Sequence, residues 1–412
     1  MTLRESRPAL AANTTIIKWL TYAMFMMFAM TTDSVGLIIP QVVKEFGLTL
    51  TQAGAFHYAT MTAIAIAGIS LGFLADRGRK RTILLGLAIF AASSLLFLVG
   101  DSFGFFLMLL VLSGVAIGLF KTGALALVGD ISRSNTEHTA TMNAVEGFFG
   151  IGAIIGPAIV TSLLRGGVSW RWLYPLAAGL CFLLMAVAAA VKYPPLAYAS
   201  GPVADLPRTM GMFKNAYVLG FSLALFLYVA TECAVYVWMP TLLAEYEGSA
   251  QFLVAYALTA FFALRAAGRF AGAWMLARFN WTAVMALASF AIGACFVAAL
   301  AGGVSVAAWV LPLSGLFMSV IYPTLNSKGI SCFAKSQHGT VAGINLFSSC
   351  AAAALGPLAM AAASDAYGHV RYGFVLAAAF ACLLHLGLLA NWIYDPAAGR
   401  LASLDDRQPS GL

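Results

Sequence analysis

The sequence predicts an all-α membrane protein: twelve transmembrane helices arranged as two six-helix pseudo-repeats. Three observations predict it. The 412 residues are 61% hydrophobic and only 9% charged, against about 45–50% apolar and about 25% charged for soluble domains. The apolar residues fall into runs of the length that spans a bilayer, about 20 residues. Several motifs recur at a nearly constant spacing of 197 to 200 residues. A soluble protein this apolar could not cover its surface with polar groups. In a bilayer, helices satisfy their own backbone bonds.

The spans, in order, are 17–39, 52–75, 82–100, 103–129, 140–164 and 172–192, then 216–243, 251–276, 281–302, 305–333, 340–364 and 371–394. Residues 19–31 match the apolar core of a signal peptide, but the run continues to Pro40 and similar runs follow. The segment therefore reads as an uncleaved first membrane helix. The longest polar connection, 193–214, holds Pro194, Pro195, Pro202, Pro207, Arg208 and Lys214. It reads as a cytoplasmic linker between an N-terminal half, 1–192, and a C-terminal half, 215–412.

Orientation follows from Lys and Arg. With both termini inside, 15 of these residues lie on the cytoplasmic side and 4 on the outer side. Cytoplasmic loops carry the excess, so both termini are expected in the cytoplasm. The net charge of +7 comes from these loops. No basic patch of the kind that grips nucleic acid is visible, and nucleic acid is not an expected partner. The six cysteines are scattered without a C-x-x-C pair. They read as small packing residues, with neither disulfide nor metal. No P-loop, H-E-x-x-H or G-x-S-x-G occurs, so the chain is expected to be neither an ATP-driven pump nor an enzyme, and to use no cofactor.

Internal repetition supports two equivalent halves. GFLADRGRKR begins at Gly72 and GAWMLARFN at Gly272. Gly156-Pro157 matches Gly356-Pro357, GLFK at 118–121 matches GLFM at 315–318, and Asp33 stands opposite Glu232. Duplication of this kind places a substrate site between the halves near the bilayer midplane.

The segment 72–81 resembles the loop motif that major facilitator proteins carry between their second and third helices. GIGAIIGP, 150–157, is similar to the glycine–proline pattern of their fifth helix. Within that superfamily, NAVEGFFGIGAIIGP (143–157), YVATECAVYVW (228–238), AAGRFAGAWML (266–276) and GLFMSVIYPTLNS (315–327) resemble the fucose permease type of sugar–proton symporter. The resemblance implies the major facilitator fold, a small-molecule substrate and coupling to protons. The chain differs from that group at three positions. Gly36 stands where an acid precedes the first-helix proline, Lys121 where an acid is common, and Glu146 where a histidine often stands.

Ionisable side chains within a span cost on the order of 2.5–3.5 kcal/mol each and mark function. Asp33, Glu146 and Glu232 are the expected proton-coupling carboxylates, because a carboxyl in low dielectric can cycle between charged and neutral forms. The bland reading of Asp33 is a residue bonded to backbone that holds a helix break near Gly36; Glu146, a turn or two from the cytoplasmic end, reads equally as a gating or structural salt bridge. Lys121, in mid-span, requires an anionic partner. Asp33 or Glu146 could serve, or Lys121 could capture an anionic substrate. Asn143 shares a helix face with Glu146. Glu232 lies between Tyr228 and Tyr236, at i±4, a frame of rings suited to a sugar. Arg265 is either a second gate residue or an anion ligand. Tyr322, Asn326 and Asn345 are neutral hydrogen-bonding candidates for the substrate. Asp76, Arg77 and Arg269 are expected at the cytoplasmic gate. His57 reads as a packing residue.

The sequence thus points to a proton-coupled symporter of a small polar solute, a sugar or sugar derivative first, working by alternating access. An organic-anion or drug carrier using Lys121 and Arg265 is the alternative. The expected setting is a bacterial inner membrane, with a lipid bilayer, the solute and protons as partners and a monomer as the working unit.

Overall fold

The computed structural model describes residues 6–71, 73–132, 135–194, 211–333 and 337–405, which are helical throughout apart from short connections. They form two compact units. The first is built from Met1–Leu48 and Ala55–Ser200, the second from Thr49–Gly54 and Gly201–Leu412.

The first unit begins with α1 (Ser6–Thr32) and α2 (Val35–Phe46), one membrane segment interrupted at Asp33 and Ser34. The break has local causes. Pro40 in α2 supplies no N–H and obstructs the carbonyl four residues earlier. Two hydroxyls also compete for backbone acceptors: Thr31 donates to Phe28 O at 2.9 Å and Ser34 to Met30 O at 2.6 Å. After the short α3 (Leu50–Ala53), which groups with the second unit, come α4 (Ala55–Ser70), α5 (Phe73–Arg77), α6 (Arg79–Leu95), α7 (Phe103–Ile131), α8 (Asn135–Arg165) and α9 (Leu173–Ala190).

In the second unit, α10 (Ala216–Cys233) runs through a π-helical turn, Ala234–Trp238, into α11 (Met239–Leu243). Pro240 in the first turn of α11 explains the wider turn, since its missing N–H breaks the regular ladder. Then follow α12 (Gln251–Ala255), α13 (Ala257–Leu276), α14 (Trp281–Met318), α15 (Ile321–Ser331), α16 (His338–Tyr367), α17 (Arg371–Tyr394) and α18 (Ala398–Asp405). Within α14, Gly303 takes φ 71°, ψ −167°, a conformation open to glycine and strained for any other residue. It separates two spans.

Nine segments among the described residues are long and apolar enough to cross a membrane. One of them, Trp281–Ser331, holds the two spans separated at Gly303. The 16-residue α4 and the arginine-bearing α13 are the other two. The total is the twelve expected.

The two units pack alike. In the first, α1 lies on α8, α4 on α7 and α6 on α9; in the second, α10 lies on α16, α13 on α14 and α14 on α17. Small residues let these backbones approach, which drives helix association where lipid offers no hydrophobic gain. A Cβ on Gly156 of α8 would collide with Met30 O of α1, and one on Gly356 of α16 would stand 2.9 Å from the Cβ of Ala230 of α10. Likewise Gly118 of α7 faces Ile64 O of α4, and Gly315 of α14 faces Phe261 O of α13. Both members of each contact are displaced by the same 200 or 197 residues. The repetition read in the chain is thus a repetition of packing.

Ion pairs tie the ends of the first unit. Lys18 meets Glu137 at 2.7 Å and Arg79 meets Asp130 at 2.9 Å at one end. At the other, Arg171 binds Glu45 and reaches Asp101 at 3.2 Å. The interior between them is aromatic, with Phe28 packed on Phe90 and Phe120 at centroid distances of 4.8 and 4.7 Å.

Candidate substrate and proton sites

Each unit holds a buried carboxylate on its first span, beside a break in the helical ladder. In the second unit this is Glu232, one residue before the end of α10 and 6% exposed. Spacing of four places Tyr228 on the same helix face. The Tyr228 hydroxyl lies 2.8 Å from Glu232 Oε1 and 2.9 Å from Met318 O, the last carbonyl of α14. Arg265 Nη2 of α13 reaches the same Oε1 at 2.8 Å. A carboxylate this buried needs such a partner, since the cost of removing an unpaired charge from water is several kcal/mol. The sequence left Arg265 as gate or anion ligand; the structure gives it to Glu232.

From this pair a line of polar and aromatic groups continues through the same unit. The Tyr228 and Tyr322 rings lie 6.4 Å apart. One turn beyond Tyr322 on α15, Asn326 accepts a hydrogen bond from Asn345 Nδ2 of α16 at 3.0 Å. Asn345 is fully buried, and its Oδ1 has no hydrogen-bond partner among the described residues. A buried, unsatisfied carbonyl costs about 1–3 kcal/mol and is an acceptor available to a solute hydroxyl. Tyr236 lies in the π turn, with its hydroxyl 2.9 Å from Cys233 Sγ and its ring 6.2 Å from Phe262. Arg269, one turn from Arg265, is half-buried on α13.

In the first unit Asp33 sits at the break between α1 and α2, 8% exposed. Its Oδ2 accepts the Thr32 hydroxyl at 2.8 Å. Thr31 and Thr32, with His57, Thr60, Ser113 and Tyr174, border a cavity of about 20 Å³, room for about one water. His57 is 1% exposed, consistent with its reading as a packing residue.

The remaining candidates are more dispersed. Lys121 is half-buried on α7, and its ammonium stands 5.3 Å from the centroid of the Phe149 ring on α8. Among the described residues it forms no ion pair. A ring face attracts the charge more weakly than a carboxylate would. Asn143 and Glu146 are both exposed on α8, one turn apart. Arg77 closes α5 and is exposed; the Asp76 side chain lies outside the described residues. Two groups were not foreseen: Thr32, which bonds Asp33, and the Met318 carbonyl, which meets the Tyr228 hydroxyl beside Glu232. Thr32 carried a faint signal, as a hydroxyl next to an intramembrane acid. The Met318 carbonyl carried none, because a backbone group at a helix end leaves no mark in composition.

Buried, partnered carboxylates inside interrupted helices of a twelve-span bundle define a membrane carrier. The family comparison agrees: the Major Facilitator Superfamily model matches residues 21–357, and the chain belongs to that superfamily. The L-fucose-proton symporter of Escherichia coli (strain K12) is 26% identical over 346 residues, 75% of this chain and 78% of that protein. The quinolone resistance protein NorA of Staphylococcus aureus is 31% identical over 129 residues, 30% of this chain; the match spans 33% of NorA. Among solved structures, FucP in the outward conformation aligns with a TM-score of 0.64 at 21% identity, over 92% of this chain and 99% of FucP. The nucleoside transporter NupG aligns with a TM-score of 0.73 at 13% identity, over 92% of this chain and 98% of NupG. The expected resemblance to the fucose permease type is therefore borne out, and the twelve-helix fold with it.

Proposed function

We propose that this carrier is a proton-coupled symporter of a small, neutral, polar solute, with a sugar or sugar derivative as the first class, working by alternating access of its two repeats. The observation that carries the reading is the arrangement around Glu232. Arg265 pairs with the carboxylate, so Glu232 is not presented to the solute as a bare charge. The neighbouring groups are rings and amides: Tyr228, Tyr322, Asn326 and Asn345. Rings stack on the apolar faces of sugars, and amides and carboxylates bond their hydroxyls. Asp33 and Glu232 take up the coupling proton in this reading, each buried and each bonded to a hydroxyl. Glu146 and Asn143 line the path on α8. Asp76, Arg77 and Arg269 serve the cytoplasmic gate, and both termini lie in the cytoplasm of a bacterial inner membrane. Similarity to a fucose–proton symporter over three quarters of the chain supports this choice.

A second reading has its own support. Lys121 is a cation without an ion pair among the described residues, and the NorA match belongs to a drug-resistance protein. An organic anion or drug would then be held at Lys121, with Arg265 joining once released from Glu232.

A thermal-shift screen of the purified protein against sugars, organic acids and cationic drugs separates the two, because a ligand that binds the folded state raises Tm. The symporter reading expects stabilisation by a neutral sugar that is lost in Asn345→Ala and retained in Lys121→Ala. Stabilisation by an anion that vanishes in Lys121→Ala would replace it with the second reading.

A further inference from the structure

The Tyr228 hydroxyl has one proton and two neighbouring oxygens that can only accept it when Glu232 is ionised: Glu232 Oε1 at 2.8 Å and Met318 O at 2.9 Å. A hydroxyl donates one good hydrogen bond. With Glu232 ionised, its oxygen draws that proton, since bonds to a charged acceptor are about twice as strong as neutral ones. The Met318 carbonyl then goes without it. With Glu232 protonated, the carboxyl O–H becomes the donor and Tyr228 its acceptor. The tyrosine proton is released to Met318 O, and every donor is used.

Met318 O is not an ordinary helix carbonyl. It closes α14, and the chain breaks over Ser319 and Val320 before α15 resumes at Ile321. Carbonyls at such an end lack their intrahelical partners. On the far side of the break lie Tyr322 and Asn326, the groups assigned above to the solute. We propose that Tyr228 is a positioning residue that transmits the protonation state of Glu232 to the α14–α15 break. The proton gained by the carboxylate is matched by a hydrogen bond gained at Met318. The same event weakens the Arg265 contact to Glu232, because the ionic attraction is lost. The ionisable groups facing this cluster are Arg265 and Arg269 of α13, Tyr322 of α15, and Cys233 and Tyr236 beyond Glu232 on its own span. The inference rests on the reading of Glu232 as a proton-coupling group.

Isotope-edited infrared spectroscopy of the substrate-free protein, labelled with carbonyl-¹³C methionine, reads the Met318 bond directly; Met318→Leu identifies its band. A carbonyl that gains a hydrogen bond absorbs at lower wavenumber. Between pH 9 and pH 4 the wild-type band is expected to move down. Glu232→Gln, whose amide N–H donates as the protonated acid does, should hold it low at both pH values. Tyr228→Phe should hold it high at both. A wild-type band that does not move, or one that still moves in Tyr228→Phe, would overturn the proposal. If Tyr228→Phe does not fold, Glu232→Gln against the wild type still decides. No solute enters this measurement, so proton-driven transport through Asp33 alone would survive a negative result here.

Discussion

Arg265 and Glu232 form the most consequential pair at the level of single residues. The side chains are 22% and 8% exposed, so truncating one strands the other in a poorly solvated place. Breaking a buried pair costs about 3–5 kcal/mol, whereas exchanging both members for apolar side chains of similar size is often neutral. Arg265→Ala, with the arginine partly solvated, is expected at the low end, about 3 kcal/mol, and should lower Tm in detergent. The double variant Glu232→Leu/Arg265→Met should recover most of that loss while abolishing transport. Equal damage in both would mean that the pair does not hold the unit together.

The helices illustrate what the chain discloses and what it conceals. Twenty-residue apolar runs are a direct consequence of bilayer thickness, so the spans were legible, as was the repeat carried by Gly156 and Gly356. The acids were legible because each is costly inside a membrane. The interruptions were less so. A break near Gly36 could be anticipated from Pro40, yet its position at Asp33–Ser34 depends on two hydroxyls turned onto backbone oxygens. The same limit applies to Arg265, whose partner sits 33 positions away on another helix. Periodicity puts a residue on a face but does not say which helix that face meets. Where glycine lets helices touch, a methyl group is informative. Gly156→Ala would drive a Cβ into Met30 O, a backbone atom that cannot swing aside, while a Cβ on Gly343 meets nothing within 4 Å. Overpacking costs about 1–3 kcal/mol, so Gly156→Ala should lower Tm and the yield of monodisperse protein and Gly343→Ala should change neither. Equal behaviour of the two variants would argue against the α1–α8 contact.

For the whole molecule, the duplicated packing is the feature from which function follows. Two units built alike, each with a carboxylate at an interrupted first span, suit a carrier whose charge state changes during the cycle. The substrate was not legible, because selectivity depends on which polar groups meet around the solute, and those come from distant parts of the chain. The central claim is that solute movement is tied to proton movement. It is tested most directly in proteoliposomes enclosing a pH-sensitive dye, with L-fucose and a panel of neutral sugars added outside. The account predicts internal acidification on addition of the transported sugar, abolished in Asp33→Asn while sugar binding persists. Sugar uptake without acidification, or acidification that is undiminished in Asp33→Asn, would contradict it.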